Sequence, residues 1–94
     1  MQPAVYILAS KPSGTLYIGV TADLAARVLA HRSKLNDGFA RQYKVRRLVH
    51  VEYFAEMTAA IEREKCLKRW RRAWKIELIE KDNPRWRDLW WDLV

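Results

Sequence analysis

Glycine is scarce in this chain. Three residues in 94, at positions 14, 19 and 38, cannot build a glycine-rich phosphate-binding loop. Cysteine is nearly absent: Cys66 stands alone, which excludes an internal disulfide and a thiolate zinc cluster. With only two histidines, any bound metal is expected to be a hard cation held mainly by oxygen, Mg²⁺ or Mn²⁺. Long apolar runs are also missing. None approaches the roughly 20 residues of a membrane-spanning helix, and the opening residues do not read as a leader. Negative charge is in the minority, 11 Asp and Glu against 18 Lys and Arg, for a net charge of +7. What is plentiful is core material: half of the residues are hydrophobic and five are Trp, which excludes a disordered basic tail. The expectation is a single domain over 1–94, cytoplasmic, that meets something anionic. Nucleic acid ranks first, and an anionic membrane or an acidic protein second. The membrane reading suffers from the lack of a long helix with one cationic and one apolar face.

The charge is unevenly placed. Residues 1–50 carry eight basic and two acidic side chains, whereas 51–94 carry ten and nine. Within that balanced half, Arg63, Lys65, Lys68, Arg69, Arg71, Arg72 and Lys75 form a dense run opposed only by Glu64. Such a run is commonly a solvated helix face. Interleaving with Trp70 and Trp74 raises a nucleic-acid reading, although Trp at helical spacing is more often core.

Residues 3–9 and 15–20 are short runs rich in β-formers around Lys11-Pro12-Ser13-Gly14, which predicts a hairpin. Pairing Tyr6 with Tyr17 would close its loop around 10–13. Thr21 reads as the N-cap of a helix over 22–34, with Leu24, Val28 and Leu35 on one side and Asn36-Asp37-Gly38 ending it. A basic loop (Arg41, Lys44, Arg46) leads to a third strand over Arg47–Phe54, with Val49, Val51 and Tyr53 on one face. Thr58 reads as the cap of a helix over 59–71, whose apolar side is Ala60, Leu67, Trp70 and Trp74, interrupted by Arg63. Another helix is predicted over 72–81. After Asn83-Pro84, the spacing of Trp86, Leu89, Trp90 and Leu93 predicts a last helix. The order β-β-α-β-α-α-α fits an α+β fold, a three-stranded antiparallel sheet flanked by helices.

Three local features carry chemistry. Arg27 and His31 stand at i and i+4, so both project from one side of the first helix. Glu64 borders the apolar stripe of the second helix beside Ala60 and Lys68, where a carboxylate is ordinarily a salt-bridge partner. Tyr6 and Tyr17 are aromatic strand residues, ordinarily half-buried packing. Cys66 reads as a small core residue rather than a nucleophile.

Together these residues resemble a known pattern. Val5-Tyr6-Ile7, with Tyr17-Ile18-Gly19 ten residues on, resembles the two short motifs that name the GIY-YIG nuclease superfamily. The likeness continues in order through Arg27, His31 and Glu64, and so covers nearly the whole chain. The tail Trp70-Arg71-Arg72-Ala73-Trp74-Lys75, followed by Asn83-Pro84-Arg85-Trp86, is similar to the small stand-alone bacterial members. The chain is also similar to the amino-terminal nuclease domain of the excision-repair protein UvrC. The first motif departs from the pattern in reading Val-Tyr-Ile, but its tyrosine is kept.

The resemblance implies a DNA endonuclease, with repair or recombination as its setting, using one divalent ion (Mg²⁺ or Mn²⁺) held by Glu64 and no small-molecule cofactor. Phosphodiester hydrolysis builds negative charge on the phosphoryl and leaving oxygens, so its site needs cations more than covalent chemistry. By position, Tyr17 would be the general base or water-orienting phenol and Tyr6 would place the phosphate. Arg27 would neutralise charge through its planar donor fork, and His31 would hydrogen-bond the nucleophile or its base. Gly19 would let the backbone pass close to the tyrosine. A tyrosine hydroxyl ionises near ~10, so such a base needs cations at hand. Lys68, Arg69, Arg71, Arg72, Arg41 and Lys44 are the expected nucleic-acid contacts. The alternative is a catalytically weak nucleic-acid-binding module of the same fold. Either way, specificity is low, or it comes from a protein partner or from homodimerisation.

Overall fold

The structure, a computed structural model, describes residues 2–33 and 44–93. Three strands, β1 (Ala4–Ala9), β2 (Leu16–Thr21) and β3 (Arg47–Tyr53), form an antiparallel sheet in the order β2-β1-β3. The central strand is apolar at almost every position because both of its faces are covered, and all six of its residues are buried.

The hairpin differs in register from the expectation. Tyr6 lies opposite Gly19, and Leu8 lies opposite Tyr17. The turn is centred one residue later than assumed: Ser10 N donates to Thr15 O at 3.0 Å and Gly14 N to Lys11 O at 2.9 Å, with Ser13 in the left-handed region at φ 57°. Moving the turn centre by one residue moves the pairing by two, so Tyr6 and Tyr17 sit diagonally on one face.

Helix α1 (Leu24–Arg32) is capped by Asp23, whose side chain accepts from Ala26 N, not by Thr21. Thr21 instead takes the Asp23 N–H at 3.0 Å on its hydroxyl, shaping the turn before the helix. The expected stop at Asn36-Asp37-Gly38, with Leu35, lies outside the described residues. Helix α2 (Met57–Arg69) begins before Thr58, with Glu56 in the cap position and no side-chain cap bond. Trp70 and Arg71 are extended and separate it from α3 (Arg72–Asp82).

Strand β3 carries a register shift opposite Ile7 and Leu8. An extra residue on one strand re-aims the side chains that follow it. Val49 and Val51 therefore do not share a face: Val49 packs with Val5, Ile7, Ala60, Leu67 and Ile79, whereas Val51 packs with Tyr6, Leu8, Leu24 and Val28. The shift also places His50 opposite Ile7, on the α2 side.

The expected final helix over the Trp86–Leu93 pattern is replaced by a strap and one short turn, α4 (Trp90–Leu93). The buried Asn83 ends α3, and its amide donates to Val49 O at 3.2 Å and Arg87 O at 2.9 Å while its carbonyl accepts from Arg87 N. With Trp86 at φ 56° the chain turns and cannot continue as a helix. Leu89 N then donates to Leu48 O at 2.7 Å, and Asp88 Oδ1 accepts from Leu48 N. The strap thus covers the outer edge of β3, which would otherwise present unpaired backbone groups. It places Trp86 in the core under α2 and α3, and Leu89, Trp90 and Leu93 against the core under α1.

Candidate active site

The α1 face of the sheet holds the cluster. Tyr6 projects from β1 and Tyr17 from β2, with ring centroids 6.3 Å apart. Gly19, opposite Tyr6, makes room for the first ring: a Cβ there would fall 2.5 Å from Tyr6 Cζ. Helix α1 crosses above and seats Leu24 and Val28 in the core, which fixes the side that carries Arg27 and His31. His31, only 3% exposed, has Nε2 at 3.2 Å from Tyr6 Oη, and its ring lies edge-on to Tyr17 at 5.0 Å. Arg27 Nε donates to Tyr6 Oη at 3.4 Å. One phenol oxygen thus accepts from an arginine while sharing a hydrogen bond with an imidazole. The Arg27 guanidinium is held above its ordinary pKa, first by the Tyr6 hydrogen bond and then by the negative charge Tyr6 carries when ionised; burial opposes this. Four of the five expected catalytic residues are therefore together.

Glu64 comes from α2, on the other face of the sheet. Its side chain is 15% exposed and Oε2 pairs with Lys68 Nζ at 3.1 Å, the salt bridge expected at that spacing. Lys68 also lines a groove of about 340 Å³ with Leu16, Tyr17, Ile18 and Lys75. β2 has a strand neighbour on one side only. The groove along it therefore carries Tyr17 at one wall and the Glu64–Lys68 pair's ammonium at the other. Lys75 was not among the expected contacts. It comes from α3, and its Nζ reaches back to Lys68 O at 3.5 Å, a contact between helices that spacing does not reveal.

The remaining basic residues divide. Arg69 and Arg71 are exposed, and Arg71 lies over the Trp74 ring at 4.5 Å. Arg72 is exposed but its guanidinium binds Ser13 O and Gly14 O, tying α3 to the hairpin turn. Lys44 is exposed beside Arg46 and Arg47, and Arg41 lies outside the described residues. Arg63, the interruption in the apolar stripe, faces the sheet to meet Glu52, with Nε and Nη2 at 2.8 and 3.1 Å from its two oxygens. The buried His50 bonds the same carboxylate at 2.8 Å, and Arg63 also lies over Trp70 at 5.1 Å. The hydrogen bond from His50 first, and Arg63 next, hold the Glu52 carboxyl down at about 2 against the opposing effect of burial. The sequence signal for this cluster was an alternating His and Glu on a strand, legible only once the shift in β3 is known.

Comparison with known proteins matches residues 2–77 to the family described as the GIY-YIG catalytic domain. The chain belongs to the GIY-YIG family. This is a nuclease-type catalytic domain, and the cluster around Tyr6 and Tyr17 falls within the matched residues. The chain is 35% identical over 81 residues to a UPF0213 protein of Syntrophus aciditrophicus, covering 85% of this chain and 91% of that one. A UPF0213 protein of Streptococcus pneumoniae is 30% identical over 81 residues, covering 86% and 81%. The fold is similar to the solution NMR structure of a UPF0213 protein from Bacillus halodurans, with TM-score 0.58 and 27% identity over 94% of this chain and 93% of that one. The small stand-alone GIY-YIG type read from the tail is thus the type found.

Proposed function

We propose that this GIY-YIG protein is a divalent-metal-dependent endonuclease that hydrolyses DNA phosphodiester bonds. The observation that carries the reading is the meeting of Tyr6, Tyr17, Arg27 and His31 at a face that opens beside a lysine-lined groove. Among the described residues no three His, Cys, Asp or Glu side chains form a metal cage. A hard ion that keeps several waters and takes one carboxylate plus substrate phosphate needs no such cage, and the largely buried Glu64 carboxylate, steadied by one ammonium, fits that use. Glu64 would hold the ion, which when bound supplies charge stabilisation at the phosphoryl oxygens.

The chain's own groups do the rest. Tyr17, half-buried and lining the groove, would orient or deprotonate a water. Arg27 keeps its charge and offers the remaining donors of its fork to the phosphate. Tyr6 is 1% exposed and bonded to both Arg27 and His31, which favours positioning those two over touching substrate. Lys68 and Lys75 would hold the strand in the groove.

The test is plasmid nicking with Mg²⁺ or Mn²⁺. Wild type should nick, and Glu64→Ala should lose at least about 100-fold in rate with its fold intact by circular dichroism. Equal cleavage by the two proteins overturns the proposal. The lysines along the groove favour the second reading, a binding module, if nucleic acid is bound in a salt-sensitive way and never cut.

A further inference from the structure

A second concave site lies where the end of α1, the start of β3 and the strap meet. It is a pocket of about 580 Å³, within the ~300–1,000 Å³ of small-ligand sites, and it does not include Tyr6, Tyr17 or Glu64. Four cations, Arg32, Lys44, Arg46 and Arg47, face one carboxylate, Asp88. That carboxylate is committed: Asp88 Oδ2 pairs with Arg32 at 2.7 Å and Oδ1 accepts from Leu48 N and Trp90 N. Among the described residues no carboxylate pairs with Lys44, Arg46 or Arg47, and the buried Arg46 Nε donor has no acceptor within the fold. A buried donor without a partner among the described residues is free to take a ligand oxygen. The pocket also includes Trp91, which at 66% exposed is the most exposed large hydrophobic residue among those described, with Arg32 Cζ 5.7 Å from its ring.

Cations with no carboxylate partner, of which Arg47 also donates to Trp86 O at 3.1 Å, lie beside an open indole, and these are the two halves of nucleotide recognition, one for phosphate and one for a base face. We infer that this pocket binds an unpaired nucleotide of the nucleic-acid substrate, its phosphate on Lys44, Arg46 and Arg47 and its base stacked on Trp91. The inference deepens the nucleic-acid reading above and rests on it. His31 and Arg32 are consecutive on α1, so the pocket sits about 100° around the helix from the tyrosine cluster. A strand anchored there would reach the cluster by passing over one helix. The substrate class is therefore nucleic acid with a single-stranded segment flanking the bond that is cut. A uniform duplex keeps its bases stacked inside and offers none to Trp91.

The experiment uses the full chain carrying Glu64→Ala, without divalent ion, titrated with a fluorescently labelled single-stranded oligothymidylate. Inorganic phosphate and a blunt duplex serve as separate probes. Adding Trp91→Ala should weaken oligothymidylate binding about tenfold and duplex binding far less, and Trp91→Phe should restore it. Arg46→Gln should weaken it and lower the log-log salt slope by about 0.7, one phosphate contact on a single strand. Arg46→Lys and circular dichroism control for folding. Unchanged oligothymidylate binding with Trp91→Ala, or competition by inorganic phosphate as strong as by unlabelled oligothymidylate, overturns the inference. Because binding is read without cleavage, an inactive wild type would sink the endonuclease proposal and leave this result standing or falling by itself.

Discussion

The Tyr6 hydroxyl is where three elements meet: it is carried by β1, bonded from α1 by Arg27 and His31, and given its space by a missing side chain on β2. The smallest change that disturbs it is one methyl group. Gly19→Ala places a Cβ 2.5 Å from Tyr6 Cζ, so the ring or the strand must shift. Overpacking of this kind costs ~1–3 kcal/mol, and at ~4–8 °C per kcal/mol for a chain of this size the Tm should fall by about 5–20 °C. Thermal denaturation reads that, and nicking should fall by at least about tenfold as the tyrosine, arginine and histidine lose register. Glu52 supplies a second prediction at this scale. Its folded carboxyl titrates at about 2, below the roughly 4.3 of an unfolded glutamate. A depressed carboxyl contributes stability that is complete above the unfolded value and lost as pH falls through the folded one. The Glu52–His50–Arg63 contribution should therefore be intact at pH 7 and drain away between about 4.3 and about 2. With solvent screening it is on the order of 1–2 kcal/mol. Urea denaturation should show Glu52→Gln less stable than wild type at pH 7, with the gap roughly halved near pH 3 and nearly closed at about pH 2.

Among the elements, the strap depends most on a single residue. Asn83→Ala removes two donated bonds and one accepted one from a buried position and leaves Val49 O without the amide. A cost of about 2–4 kcal/mol is expected, visible as a lower urea midpoint with an unchanged slope. The same region shows where sequence reading stopped. The three strands, α1, α2 and α3 were legible because apolar period and turn residues agree locally; helical spacing joined only Arg27 and His31, and it was the resemblance to the GIY-YIG motifs that grouped them with Tyr6 and Tyr17. The periodicity of Trp86, Leu89, Trp90 and Leu93 is genuine, but it arises from a chain crossing between two cores. Its conformation is set by Asn83 reaching Val49 and Asp88 reaching Leu48, partners some 34 and 40 positions away. The cap failed for a related reason: Thr21 and Asp23 are both good caps, and which one serves depends on how β2 delivers the chain to α1. Lys75 stood in the basic run but not among the expected contacts, because its neighbours at the groove come from β2 and α2.

For the molecule as a whole, the sheet separates two cores and leaves its two edges in different states. The β2 edge borders the groove with Lys68 and Lys75, and the β3 edge is closed by the strap. Much of the +7 charge has a structural duty: Arg63 ties α2 to β3, Arg72 ties α3 to the turn, and Arg32 ties α1 to the strap. Of the cations at concave surfaces, Lys68 and Lys75 border the groove, and Lys44, Arg46 and Arg47 line the pocket beside Trp91. No helix among the described residues is long and apolar enough to cross a membrane. The strap has a further consequence. It sends Trp86 into one core and Leu89, Trp90 and Leu93 into the other, and it lies beyond the 2–77 span that matches the family. Eleven residues thus work as a clasp fastened on both sides of the sheet. If it lets go, each core loses aromatic or aliphatic cover at the same moment, so the two halves cannot melt one after the other. A chain with two cores is therefore expected to unfold as one cooperative unit, joined by the clasp as well as by the shared sheet.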